Sequence, residues 1–357
     1  MSAAITSPQV IKTEIISRAH ELGFAECRIA AAQPAAHREV YEQWIADGKY
    51  GDMAWMARNL ERRTDPRIVV PGAQSIIVLA LNYYQGPRPP RDPSYRIARY
   101  AWNDDYHDLI EKRLDELSAL LAEHGGTQRR YVDTGPVLER DFATESGLGW
   151  NGKSTMQLNR QLGTWFFICE IITTLELPID TPVRDMCGKC TRCIDACPTG
   201  AITAPHRLDA RKCISYLTIE HKGSIPIEYR RAIGDHLYGC DDCLDACPWN
   251  RFAQASNEAA FQARESVFSK KLTDFLALTD EEFRALFARS PVKRIKRPAF
   301  LRNVCVVLGN VGTADDVPAL ENAAADPHPL IAEHAQWALD EIRLRIQAKR
   351  GLEPERI

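Results

Sequence analysis

Eight of the eleven cysteines in this chain fall between Cys187 and Cys247, seven of them in two runs that each end in Cys-Pro. The first run, Cys187, Cys190, Cys193 and Cys197 before Pro198, reads C-x2-C-x2-C-x3-C-P. This is the spacing of paired iron–sulfur clusters, in which the fourth cysteine crosses to the other cluster. The second run keeps Cys240, Cys243 and Cys247 before Pro248, but Ala246 stands where a third cysteine is expected. Seven thiolates cannot fill two four-cysteine clusters, and Cys213 is the remaining cysteine inside the segment. It takes the eighth place. One 4Fe-4S cluster is then assigned Cys187, Cys190, Cys193 and, by the crossing rule, Cys247; the other is assigned Cys197, Cys213, Cys240 and Cys243. Zinc has no use for this tandem spacing, and disulfides suit small secreted chains. Cys27, Cys169 and Cys305 sit among apolar neighbours and read as core.

A ferredoxin alone would be far smaller than 357 residues, and a composition 45% hydrophobic can bury a large core across two or three domains. The pattern is that of an α+β protein. Residues 1–180 alternate helix and strand, as in an α/β layered domain. Helices are expected over Val10–Leu22, Pro34–Ala46 and Asp105–Glu123; SIIVLALNYY (Ser75–Tyr84) and WFFICEIITT (Trp165–Thr174) read as interior strands, and RYVDTGP as a short strand entering a turn. Residues 181–255 form a bacterial-type two-cluster ferredoxin module. Residues 256–357 form a helical, HEAT-like tail, with short amphipathic helices over Leu301–Leu308, Val317–Ala324 and Leu330–Ile346. No stretch approaches 18 apolar residues and the amino terminus shows no apolar leader core, so the chain is expected to be soluble, free of the membrane and cytoplasmic. Thiolates that ligate iron also require a reducing compartment.

A net charge of −3 argues against blanket nucleic-acid affinity. Between Arg284 and Ala314, however, there are seven basic residues and no acidic one, which suggests a local anionic partner. GLGWNGKST (Gly147–Thr155) fits the letters of two nucleotide motifs, but neither the strand before nor the helix after is present in the pattern. Its glycines imply close backbone approach, with a cofactor tail as one candidate. Asp105-Tyr106-His107 half resembles the cobalamin motif D-x-H-x-x-G, yet Ile110 occupies the glycine position, so histidine ligation of cobalt is not supported.

With the two Cys-Pro runs, GLGWNGK, RYVDTGPVLER, RYAWNDDYH, CISYLTIE and YGCDDCLDACPWN in this order, the sequence resembles the epoxyqueuosine reductases over nearly its whole length. The resemblance implies a cobalamin domain joined to two 4Fe-4S clusters, with the corrin held without a protein imidazole. It implies reduction of an epoxide on a modified tRNA wobble base to an alkene, fed by an external low-potential electron donor, in a monomer that binds the tRNA anticodon arm. Asp133 matches the family's proton donor; burial is expected to keep it protonated near neutral pH. Arg58, Lys153, Gln157, Ser215, Asp241 and Asp133 itself are where the corrin would lie, and Tyr106 and Arg140 would border the substrate pocket. Arg294, Lys296, Arg297 and Arg302 are expected to grip the tRNA backbone. A cobalamin-dependent reductive dehalogenase and a ferredoxin-type electron carrier are the competing readings; the second leaves the first 180 residues unexplained.

Overall fold

A computed structural model describes residues 7–87 and 95–350. Its centre is a four-stranded sheet of β1 (Glu26–Ala31), β2 (Ser75–Asn82), β3 (Gln128–Tyr131) and β4 (Phe166–Thr173), ordered β1-β2-β4-β3. Every neighbouring pair is antiparallel. The alternating helices and strands of the amino-terminal half therefore close without the crossovers of a parallel sheet. Because successive side chains of a strand point to opposite faces, the apolar run of β2 feeds two cores at once. Ile77, Leu79 and Leu81 join Cys169 and Ile171 beneath α1 (Pro8–Glu21) and α2 (Tyr106–Glu123), which contribute Ile15, Ile110, Leu114, Leu117 and Leu121. Ile76, Val78 and Ala80 face the other way, toward Phe142 and Ala143 of α3 (Glu139–Glu145).

The helix ends follow local chemistry. Ser7 caps α1 by accepting the Val10 N–H, with Pro8 at the first helical position. Asp105 caps α2 by accepting the His107 N–H. The stretch Gly147–Thr155 forms no phosphate loop: it belongs to a two-stranded hairpin, Trp150–Asn151 with Gln157–Leu158. Two of its glycines admit the chain's own backbone. A Cβ at Gly149 would collide with the Leu158 carbonyl oxygen, and one at Gly147, which has φ +73°, with that of Thr181.

After the cysteine segment, α4 (Lys296–Val311), α5 (Val317–Ala324) and α6 (Pro329–Arg350) pack together through Phe300, Leu301, Val304, Leu308, Leu320, Ala335 and Leu339. This cluster also takes in Tyr95, Ile97, Trp102, Leu237 and Tyr238, so the tail is sewn to the rest of the chain. Among the described residues no helix is long and apolar enough to cross a membrane.

Arg302 departs from expectation. It sits on α4 with 0% exposure, and its guanidinium donates to the carbonyls of Leu217 (2.9 Å), His221 (2.7 Å) and Gly223 (2.8 Å) and to Asn303. It fastens the helix to the loop that follows Cys213 and cannot reach a phosphate. Burial alone pulls its pKa down to about 10. Replacing it by Met should strand those buried carbonyls and destabilise the protein by about 3 kcal/mol or more. Urea unfolding measures this; an unchanged midpoint would contradict the role.

Candidate active site

Two groups of thiols form where the chain folds back on itself. Burial, followed by the nearby Cys187, Cys193 and Cys190, pushes the Cys247 thiol up to about 11. These four line one cavity of about 280 Å³, together with Lys153, Pro248 and Trp249. In the second group, burial and then Cys213, Asp241 and Cys197 raise Cys243, while Cys240 is raised by burial, with Cys243 and Cys213 among its neighbours. A four-thiol set is a soft donor set suited to iron–sulfur ligation, and metal binding releases the protons that burial favours. Cys193 also acts on Cys243, so the two sets adjoin. His236 and Asp242 approach Cys240, with His236 Nε2 3.3 Å from its sulfur.

The surroundings hold these loops in place. Lys153 Nζ donates to the carbonyls of Gly188 (2.7 Å) and Cys190 (3.0 Å). The Cys240 N–H donates to Ser215 Oγ at 3.1 Å. Asp241 is buried and accepts the Arg99 N–H at 2.9 Å. Gln157 is buried against Thr144, whereas Arg58 is exposed just past a short helix, Ala54–Ala57. Next to these residues, Asn151 Oδ1 is buried without a hydrogen-bond partner. It is an acceptor that the amide groups on a corrin rim would satisfy, so the hairpin fits such a cofactor.

Asp133 lies two residues beyond β3, with φ +59°. A non-glycine residue in the left-handed region is strained and needs support. The support comes from two sides: Tyr106 O–H donates to Asp133 Oδ2 at 2.7 Å, and the Asp133 N–H donates to Glu139 Oε1 at 2.7 Å. Tyr106 is in turn stacked on Phe167, with ring centroids 4.1 Å apart. Asp133 is exposed, so the free chain does not supply the burial expected around it. Arg140 donates to the Thr155 carbonyl at 2.9 Å, linking α3 to the hairpin.

Sequence reasoning passes over two residues here. Glu139 stands out only as part of the RYVDTGPVLER string, and Glu170 only as one letter of a hydrophobic strand. Glu170 is fully buried on β4, opposite Tyr131 of β3, and neither carboxylate oxygen meets a conventional donor. Burial, then Glu139, raises its pKa well above the usual range; burial, then Asp133, raises Glu139. The signal is present in the sequence, as a lone charge in the middle of WFFICEIITT.

Beside Asp133 runs a groove of about 370 Å³ lined by Trp55, Glu220, His221, Lys222, Arg294 and Lys296 among others. The Asp133 charge reaches both Glu220 and Arg294, which pair at 2.8 Å. Of the four expected phosphate grips, Arg294 and Lys296 are exposed here. Arg297 turns inward, to the Leu278 carbonyl and to Asp326 at 3.3 Å, and Arg302 is wholly interior.

His107 pairs with Asp105 at 2.6 Å. Burial opposes its charge, but the Asp105 carboxylate wins and raises its pKa above 6.5. Because the folded value lies above the unfolded one, this stabilisation is complete below pH 6.5 and fades as pH rises through the folded value. Asp105→Asn keeps the helix cap and should flatten that dependence in urea unfolding across pH. An identical pH trend in the variant would refute it.

Comparisons with known proteins agree with the site. A family model described as "Epoxyqueuosine reductase QueG, DUF1730" matches residues 63–134, and one described as "4Fe-4S double cluster binding domain" matches 186–250. The second shows the two clusters. The chain is 42% identical to the epoxyqueuosine reductase of Xanthomonas campestris over 95% of its own length and 99% of the relative's. It is 37% identical to that of Escherichia coli, covering 89% of this chain and 86% of that one. A crystal structure of epoxyqueuosine reductase with a tRNA-Tyr epoxyqueuosine-modified tRNA stem loop superposes with a TM-score of 0.87 at 30% identity, covering 97% of this chain and 95% of that chain. The chain belongs to the epoxyqueuosine reductase family.

Proposed function

We infer that this chain reduces epoxyqueuosine to queuosine at the tRNA wobble position, the last step of queuosine synthesis, and that Asp133 is its proton donor. The supporting observation is the pairing of Asp133 with Tyr106 near a basic groove, in a chain that also gathers two four-thiol sets and that matches epoxyqueuosine reductases from end to end. The overall change is epoxide plus two electrons and two protons to alkene plus water. In this reading Cys187, Cys190, Cys193 and Cys247 hold one 4Fe-4S cluster and Cys197, Cys213, Cys240 and Cys243 the other. Arg58, Asn151, Lys153, Gln157, Ser215 and Asp241 border a cobalamin. When bound, these groups supply the two electrons, drawn from an external low-potential donor. Residues 1–180 would carry corrin and substrate, 181–255 the electron path and 256–357 much of the tRNA surface.

The chain's own work is binding and proton handling. Breaking the carbon–oxygen bond leaves an alkoxide, which needs an acid at hydrogen-bond distance. Asp133 offers Oδ1 for this, because Tyr106 already donates to Oδ2. The Asp133 carboxylic acid gives its proton to the alkoxide oxygen, and a second proton completes the water that leaves. Arg294 and Lys296, exposed on the groove, neutralise phosphates, while Trp55 and His221 offer flat faces for splayed loop bases.

Asp133→Asn should abolish turnover while iron content and stem-loop affinity stay at wild-type level; mass analysis of the wobble nucleoside reads out the missing oxygen. Wild-type turnover in that variant would sink the assignment. Reversing Arg294 and Lys296 to Glu should weaken binding of an anticodon stem loop and reduce its salt slope by about 1 for each phosphate that is no longer neutralised. An unchanged slope would place the tRNA elsewhere.

A further inference from the structure

Glu170 poses a problem that the reaction as described does not solve. Among the described residues no cation and no N–H or O–H donor meets either oxygen of this fully buried group, and an ionised carboxylate so placed would be expelled from a β-sheet. Side-chain alternation places it on the face of β4 that also carries Ile172 and Phe166, the face covered by α3. There it meets Glu139, the first residue of α3, and the two carboxyl groups are within hydrogen-bonding contact. Two carboxylates in contact cannot both be ionised at such a place; one proton between them turns a repulsion into a charge-assisted hydrogen bond. Burial raises both carboxyl groups, so the pair retains one proton, shared between them.

Glu139 then has its remaining acceptor capacity directed at the Asp133 N–H, at 2.7 Å. That bond secures a backbone held at φ +59°. We propose that Glu139 and Glu170 are positioning residues that share one proton, and that this acid–carboxylate pair latches the strained Asp133 turn in its productive place. The proposal rests on the assignment of Asp133 as proton donor. The groups facing the pair are Asp133 and Tyr131 from the turn after β3 and β3 itself, Arg140 from α3 and Tyr106 from α2; β2 presents the apolar Val78. Arg140 is the cation that favours ionised Glu139. Loss of the shared proton at high pH leaves two buried negative charges beside Asp133. The turn is then pushed from its support, and Asp133 leaves the substrate.

The purified holoenzyme tests this in two ways. Infrared spectroscopy at neutral pH should show the carbonyl band of a protonated carboxyl group that is missing in Glu170→Gln, whether or not the protein turns over. In the kcat–pH profile, Glu170→Gln carries an amide donor that cannot ionise, so its alkaline limb should move to higher pH than in the wild type. Glu139→Ala, at a half-buried helix start, should lower kcat by roughly tenfold with KM for the stem loop unchanged. Superimposable pH profiles, or the same carboxyl band in Glu170→Gln, would overturn the latch. A wild-type enzyme inactive on epoxyqueuosine tRNA would instead overturn the functional reading, and the infrared result would still stand.

Discussion

Eight thiols drawn from three stretches of chain must meet at two adjoining points, and much of the remaining architecture can be understood as what holds them there. The turns around Cys190, Cys197, Cys243 and Cys247 are short and closed by their own backbone hydrogen bonds, but such turns do not choose their position in the fold. Lys153 from the hairpin, Ser215 from the segment after Cys213, and Arg99 from the loop before α2 supply that choice. Each ties a cysteine loop to a different part of the chain. Arg302, reaching from α4 into the loop beyond Cys213, ties the helical tail to the same centre. The thiol sets, the hairpin and the tail are therefore one mechanical unit, in which an interior arginine matters more than a surface one.

The acid site shows the complementary strategy. Asp133 is exposed and strained, which makes it available to a substrate but poorly held by packing. Its support is polar on both sides: a buried tyrosine fixes one carboxylate oxygen, and a glutamate fixes its backbone. The glutamate depends on a second, wholly interior glutamate. Strain at Asp133 is thus carried by a chain of hydrogen bonds that ends inside the sheet, where water cannot compete.

Much of the fold was legible because its signals are local. The run from Ser75 and the run from Trp165 became β2 and β4, and the spacing of Leu114, Leu117 and Leu121 became the buried face of α2, which begins one residue after the Asp105 cap. The glycines of Gly147–Thr155 were correctly separated from a nucleotide loop: they lie in a hairpin, where Gly147 and Gly149 admit the chain's own carbonyls. The basic run misled in part. Charge density along a sequence does not reveal which side chains turn inward, and Arg297 and Arg302 spend their donors on carbonyls and Asp326 while Arg294 and Lys296 face the groove.

Taken alone, the sequence determined that this chain handles electrons, because cluster ligation requires thiolates at intervals that only tight turns satisfy, and those intervals are visible in the letters. It also determined the strands and helices, whose periodicities are properties of neighbouring residues. The tertiary structure decided what a residue's type leaves open. It paired Glu170 with Glu139 across a strand and a helix, brought Tyr106 to Asp133 over 27 positions, and took Arg302 out of water. Burial and long-range partnership set the charge state and direction of a polar side chain, and neither is written in its immediate sequence.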